Sequence, residues 1–214
     1  KFFLNKKKGE TDFLLHLYGD EKRISQKLDY YKISSDLIKV FHTDNTVSDE
    51  ETPLTAVKNS KNTSMWNCIK SQTDGNSDIS LSAGNTGVLL VISRMILKMM
   101  DKVSKPALAG LWPNKNSLNV VLDLGANIEC DDKNLIDFAE LGSALYKSLF
   151  PDEVSKVALL NIGSEEIKGT EVLKNAYKKL NDLSGENNFI FKGYIEGNNI
   201  MSGNSNVIVT DGFT

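Results

Sequence analysis

The chain has 214 residues, 40% of them hydrophobic and 25% charged, a globular composition that excludes a disordered or fibrous protein. Its 25 Lys and Arg against 28 Asp and Glu leave a net charge of −3, which lacks the basic footprint of a dedicated nucleic-acid binder. No apolar run approaches the ~20 residues that span a bilayer, and no signal peptide is visible.

Taken along the chain, strand-like apolar runs alternate with helical patterns, which predicts βαβ units and a mainly parallel sheet. Phe2, Phe3 and Leu4 read as the end of a helix, and the lysines at 6–8 as a solvated turn or helix end. Residues 12–18 form a short buried strand stopped by Gly19-Asp20, a short helix follows over 21–28, and 37–42 is the next strand. Residues 43–54 are a polar loop, 64–71 a short helix and 78–82 a strand. The helix over 86–100 carries Val88, Leu89, Ile92, Met95, Ile96 and Met99 at 3/4 spacing, with its methionines read as core filling. A strand over 119–124 precedes a helix whose stripe is Leu135, Phe138, Ala139, Gly142, Leu145, Tyr146 and Leu149. Asp131 and Asp132 suit the positive start of that helix. Then come a strand over 156–162, a helix over 170–183, and strands over 189–191 and 207–210. The whole, 1–214, reads as a single α/β domain in the cytoplasm. It begins at Lys1 without an initiator Met and stops just after a strand, so both ends read as cut.

In open α/β sheets ligands bind beyond the carboxyl ends of the strands, so the residues just after each strand carry the chemistry. Four such turns join glycine to small polar or acidic residues: Ser82-Ala83-Gly84-Asn85-Thr86-Gly87, Asp123-Leu124-Gly125-Ala126-Asn127, Asn161-Ile162-Gly163-Ser164-Glu165-Glu166 and Thr210-Asp211-Gly212-Phe213-Thr214. The first suits an anion cradle, because glycines admit close backbone approach and free N–H groups at a helix start face a negative ligand. It reads equally as a tight turn capped by Ser82 or Thr86. It is neither a Walker A loop nor a dinucleotide fingerprint. Asp123, Glu165, Glu166 and Asp211 are candidate acids, bases or metal ligands, or else caps of turns and helices. Of the two histidines, His16 sits among leucines as a core or edge residue, and His42 ends its strand. Cys68 packs beside Met65 and Ile69, and Cys130 is too distant to suggest a CxxC metal site or a disulfide framework. With Arg23 and Arg94 the only arginines, anion binding must lean on lysine and backbone amides.

At these turns the sequence resembles the bacterial phosphate acyltransferase family of phospholipid synthesis (PlsX, acyl-ACP:phosphate acyltransferase). The matching stretches are Ala56-Val57-Lys58-Asn59-Ser60-Lys61-Asn62-Thr63-Ser64-Met65, the Ser82 turn, Leu122 with the Asp123 turn, the run from Leu160 to Gly169, and Val209 with the Thr210 turn, all in order. The resemblance implies a three-layer α/β/α sandwich similar to the isocitrate/isopropylmalate dehydrogenase-like fold, usually a homodimer. It implies transfer of a long-chain acyl group from acyl carrier protein (ACP) to inorganic phosphate, with no cofactor and no metal. It also implies a peripheral membrane contact and delivery of the acyl phosphate to a membrane glycerol-3-phosphate acyltransferase. Against the family pattern, the opening strand with its Met-Gly-Gly-Asp turn is missing before Lys1, and the Gly-Asn and helices beyond Asp-Gly-Phe-Thr are missing after Thr214. Asn59, Ser60 and Asn198 stand where the family tends to carry basic residues.

Phosphate is already anionic at neutral pH, so holding it in line and stabilising the oxyanion outweigh any strong base. On this reading Gly84, Asn85 and Thr86 bind phosphate with Ser82, while Lys61 and Ser64 add charge and a donor. Asn127 and Asn161 donate to the oxyanion, Lys168 offsets thiolate or phosphate charge, and Asp123, Glu165 and Asp211 orient donors or touch substrate. Three rivals remain: a phosphotransacetylase-like enzyme on short acyl-CoA, a non-catalytic anion-binding α/β module, and a metal-dependent decarboxylating dehydrogenase, which would want clustered arginines.

Overall fold

A computed structural model describes residues 13–185 and 189–214 of the chain, which divides into two compact units, Lys1–Lys98 and Met99–Thr214. The expectations for residues 2–4, 6–8 and 12 fall outside the described residues.

The first unit opens with a βαβ turn of chain. Strands β1 (Leu15–Gly19) and β2 (Ile38–His42) are parallel, paired from Leu15↔Ile38 to Gly19↔His42, and joined by helix α1 (Glu21–Tyr30). Asp20 caps α1 by accepting the Lys22 and Arg23 backbone N–H groups, and the Arg23 bond above all holds its carboxyl below the usual value. Thr63 starts α3 (Ser64–Thr73) and Asn85 starts α4 (Thr86–Leu97) in the same way. These two helices bury Met65, Ile69, Val88 and Ile92 against each other.

Three expectations for this unit are corrected. Residues 53–59, placed partly in a loop, include α2 (Pro53–Asn59), capped by Thr52 with Pro53 at its first position, where no N–H is needed. Residues 78–82 pair with no strand. Their alternation resembles a half-buried strand, yet Ile79 is 75% and Leu81 81% exposed, and the segment is tied to α3 instead. There Ser80 Oγ donates to the Cys68 carbonyl at 2.9 Å. Finally, α4 stops before Met99, and Met95 and Met100 stand exposed rather than filling the core.

The second unit is a five-stranded sheet in the order β3-β4-β7-β5-β6. Its strands are β3 (Gly110–Pro113), β4 (Leu118–Leu122), β5 (Ser155–Leu160), β6 (Phe189–Ile195) and β7 (Val207–Val209). All neighbours are parallel except the β3–β4 hairpin. Helices α5 (Asp132–Leu149) and α6 (Glu171–Leu183) bury one face, built on Val120, Leu122, Val157, Leu159 and Val207. Val121, Ala158 and Ile208 occupy the other face, with Ile200 from a 3-10 helix over Gly197–Ser202. Continuous apolar strands are what a sheet buried on both faces requires. Strand β3 was not foreseen because its four residues begin with glycine and end with proline. The architecture is α/β with mainly parallel strands and flanking helices.

Asp131 and Asn134 form a reciprocal cap at the start of α5. Midway along it, Gly142 lets the helix settle on the sheet: a Cβ there would stand 2.7 Å from Leu122 Cδ2 and 2.7 Å from Val207 Cγ1. Helix propensity alone would make Gly142→Ala stabilising by about 1 kcal/mol. Overpacking against two buried side chains reverses the sign, and urea denaturation is expected to show a net loss of about 1–3 kcal/mol.

Candidate functional site

In the second unit, β7 lies between β4 and β5, so three consecutive strands of the sheet end side by side. The turns leaving these strands carry Asp123, Asn127, Asn161, Lys168 and Asp211. Leu159 pairs with Val209, which puts Asn161 and Asp211 at the same level, each two residues past that pair.

Asp123 is 1% exposed and acts as a hub. Its Oδ1 accepts the backbone N–H of Leu108 at 2.9 Å and of Ala126 at 3.1 Å. Its Oδ2 accepts the Asn127 backbone N–H at 2.7 Å and the Asn127 side-chain amide at 2.8 Å. The same Asn127 amide donates to the Pro106 carbonyl at 2.7 Å, so both of its hydrogens are directed inward. The β7 turn is locked onto this one, because Gly212 N–H donates to the Asn127 carbonyl at 2.8 Å. Only glycine suits that approach, since a Cβ at 212 would sit 2.6 Å from the Asn127 carbonyl oxygen. Asp211 Oδ1 accepts the N–H groups of Phe213 and Thr214, folding the segment after β7 around its carboxylate.

The β5 turn is held by Asn161, whose Oδ1 accepts the Ile162 N–H at 2.9 Å and whose Nδ2 donates to the Lys168 carbonyl at 3.1 Å. One Nδ2 hydrogen is thereby used and a second remains. Lys168 Nζ meets Glu165 Oε1 at 2.9 Å, and that bond keeps the Glu165 carboxyl below its usual value. The pair therefore stays charged above the ordinary carboxylate range and is lost only as pH falls through the lowered value. Both side chains fold over Gly163, where a Cβ would stand 2.4 Å from Lys168 Cδ. Glu166 accepts the Tyr177 hydroxyl at 3.0 Å, and burial before that contact pushes the Tyr177 hydroxyl up.

In the first unit, Asn85 is similarly committed. Its Oδ1 accepts the Val88 N–H at 3.1 Å, while its Nδ2 donates to the carbonyls of Asp49 at 3.2 Å and Glu51 at 3.0 Å. Ser82 Oγ accepts the Gly84 N–H at 3.2 Å. Gly84 backs onto the first turn of α3, where its Cβ would be 3.1 Å from Met65 Cε, the residue after Ser64. Lys61 and Thr86 are exposed. Ser64 also lines a 410 Å³ cavity at the carboxyl end of β1, together with Arg23, Lys27 and Thr46. Sequence reasoning passed over Arg23 and Lys27. The available signal was one of only two arginines standing four residues past the Gly19 strand end, with a lysine one helical turn later. A second cavity of 660 Å³, in the second unit, is polar and lined by Lys156, Ser164, Lys192 and Asn199. Among the described residues no three His, Cys, Asp or Glu side chains gather into a metal-binding group.

The model of a family described as "Fatty acid synthesis protein" matches residues 4–214. The phosphate acyltransferase of Pelagibacter ubique is 53% identical over 207 residues, which are 97% of this chain and 61% of that protein. The phosphate acyltransferase of Maricaulis maris is 37% identical over 205 residues, 96% of this chain and 57% of that one. The chain thus spans about three fifths of the length of these curated relatives. Among solved structures, the EutD phosphotransacetylase of Staphylococcus aureus superposes with a TM-score of 0.63 at 17% identity, covering 92% of this chain and 68% of that one. A phosphotransacetylase from Streptococcus pyogenes gives 0.60 at 14% identity, covering 99% and 80%. At such identities the likeness establishes a shared fold.

Removing the hub carboxylate leaves four donors without their acceptor. Asp123→Ala is expected to cost roughly 3 kcal/mol or more in urea denaturation, because buried unsatisfied groups are expensive. Asp123→Asn, which keeps one acceptor but turns an amide toward donors, should fall between the wild-type chain and Asp123→Ala.

Proposed function

The chain belongs to the fatty acid synthesis protein family, and from that membership we propose that it serves an acyltransferase that moves a long-chain acyl group from ACP to inorganic phosphate. A phosphate oxygen attacks the thioester carbonyl, a C–O bond forms, and the C–S bond breaks with its electrons leaving on sulfur. The thiolate of ACP then takes a proton from solvent, and acyl phosphate is released. The supporting observation is the rim of the second unit, where adjacent strand ends present the remaining Asn161 side-chain N–H and Lys168 beside a turn organised by the Asp123 carboxylate. Such preorganised donors serve a reaction that develops negative charge and needs no strong base.

Residue roles follow from which groups remain free. In the first unit, the Thr86 backbone N–H holds phosphate with Lys61 and Ser64, while the Gly84 N–H is given to Ser82 Oγ and shapes the turn. Asn85 fixes that turn. In the second unit, the second Asn161 N–H and Lys168 meet the oxyanion and the departing thiolate. Asp123, Asn127 and Asp211 set the turns that present them, and Glu165 steadies Lys168. The intact protein works as a homodimer and receives acidic ACP. From a peripheral position on the membrane, it hands its product to a membrane glycerol-3-phosphate acyltransferase. The family resemblance supports these partners. No helix among the described residues is long and apolar enough to cross a membrane.

The test is an acyl-phosphate assay on the intact protein with long-chain acyl-ACP and inorganic phosphate. Product is expected from acyl-ACP and not from acetyl-CoA. Lys168→Ala should lower kcat by about a hundredfold, the size of one lost oxyanion donor. Product from acetyl-CoA alone would replace this reading with a phosphotransacetylase. Phosphate stabilisation in a thermal melt without any turnover would replace it with an anion-binding module.

A further inference from the structure

Helix α1 is amphipathic, yet it buries no residue fully. Ile24, Leu28 and Tyr31 recur at helical spacing and, with Leu17 of β1 and Ile33, wall the 410 Å³ cavity of the first unit. That volume lies within the range of small-molecule sites, which are mostly apolar with a few convergent polar groups. Two cations line it, Arg23 and Lys27, spaced four apart on α1 and exposed. The one carboxylate among the described lining residues, Asp20, already spends an oxygen on the N–H groups of Lys22 and Arg23. Arg23 and Lys27 against the single Asp20 leave the described lining with an excess positive charge, and its apolar walls are aliphatic and aromatic.

An occupant that satisfies both features has a long hydrocarbon body and an anionic head. We infer that the groove under α1 binds a long-chain acyl anion, its chain against Leu17, Ile24 and Leu28 and its head at Arg23 and Lys27. Identifying that anion with the acyl phosphate product rests on the reading in the preceding subsection. Ser64 lines the same cavity, so the groove borders a residue assigned there to phosphate. Arg23 supplies a planar fork of donors suited to a carboxylate or phosphate, with the Lys27 ammonium beside it.

The experiment titrates the intact protein with hexadecanoate, a stable anion with the same chain, and follows binding by calorimetry. One saturable site is expected, with octanoate bound at least tenfold more weakly, since each buried methylene contributes about 0.8 kcal/mol. The double variant Arg23→Ala/Lys27→Ala alters only exposed side chains and should weaken hexadecanoate about tenfold or more, as loss of a complementary charge pair does. Leu28→Gln should weaken it as well, with thermal melts confirming that both variants are folded. Hexadecanoate affinity unchanged in both folded variants overturns the groove, whatever the turnover. A concentration-dependent dimer abolished by Leu28→Gln, with no hexadecanoate binding, overturns it in favour of a second copy of the chain. Groove-dependent hexadecanoate binding in a protein that makes no acyl phosphate sustains the groove and defeats the acyltransferase reading.

Discussion

The second unit depends on one buried carboxylate. Asp123 gathers four N–H donors from Leu108, Ala126 and Asn127, and through Asn127 it fixes where the turn after β7 can lie. A carboxylate surrounded by donors compensates much of its own desolvation, which is the condition for keeping one inside a protein. Its effect is to turn two flexible strand ends into one rigid rim. The rigidity matters more than any contact Asp123 could make with a ligand, because aligned donors stabilise developing charge only if they need not reorganise.

The β5 turn reaches a similar end by different means. Asn161 holds the loop from inside, while Gly163 leaves room for Lys168 and Glu165 to fold across it. That ion pair is exposed, so its contribution to stability is small. Its significance is local: it fixes the position of a lysine at the rim beside strand ends already tied down.

Much of this was legible in the sequence, and the failures have physical reasons. Among the described residues, apolar runs located six of the seven strands and helical spacing five of the six helices, most clearly in the second unit, where burial of the sheet on both faces leaves a continuous apolar signature. Asp131, read with Asp132 as suiting a positive helix start, does cap α5. The segment 78–82 carries the period of a strand but has no neighbour to pair with, and period alone does not report a partner. Strand β3 carries too little sequence to show any period. At the site, spacing placed Asn127 correctly in a strand-end turn, whereas Asn85 caps a helix with no strand before it. It could not say that their amides point inward to Glu51, Asp49, Pro106 and Asp123. Direction is a property of the folded turn. Arg23 and Lys27 were overlooked because a helix facing a cavity has the same pattern as one facing a core.

The place of β7 has a further consequence, for biosynthesis. Of these five strands, the one latest in the sequence is the one that enters between β4 and β5, where it supplies hydrogen bonds to both. Until residues 207–209 leave the ribosome, those two strands have open inner edges and no shared ladder, a state prone to pairing with other chains. The sheet of this unit therefore closes by late insertion at its centre, so an incompletely synthesised chain is exposed to misassembly for as long as translation takes to reach Val207.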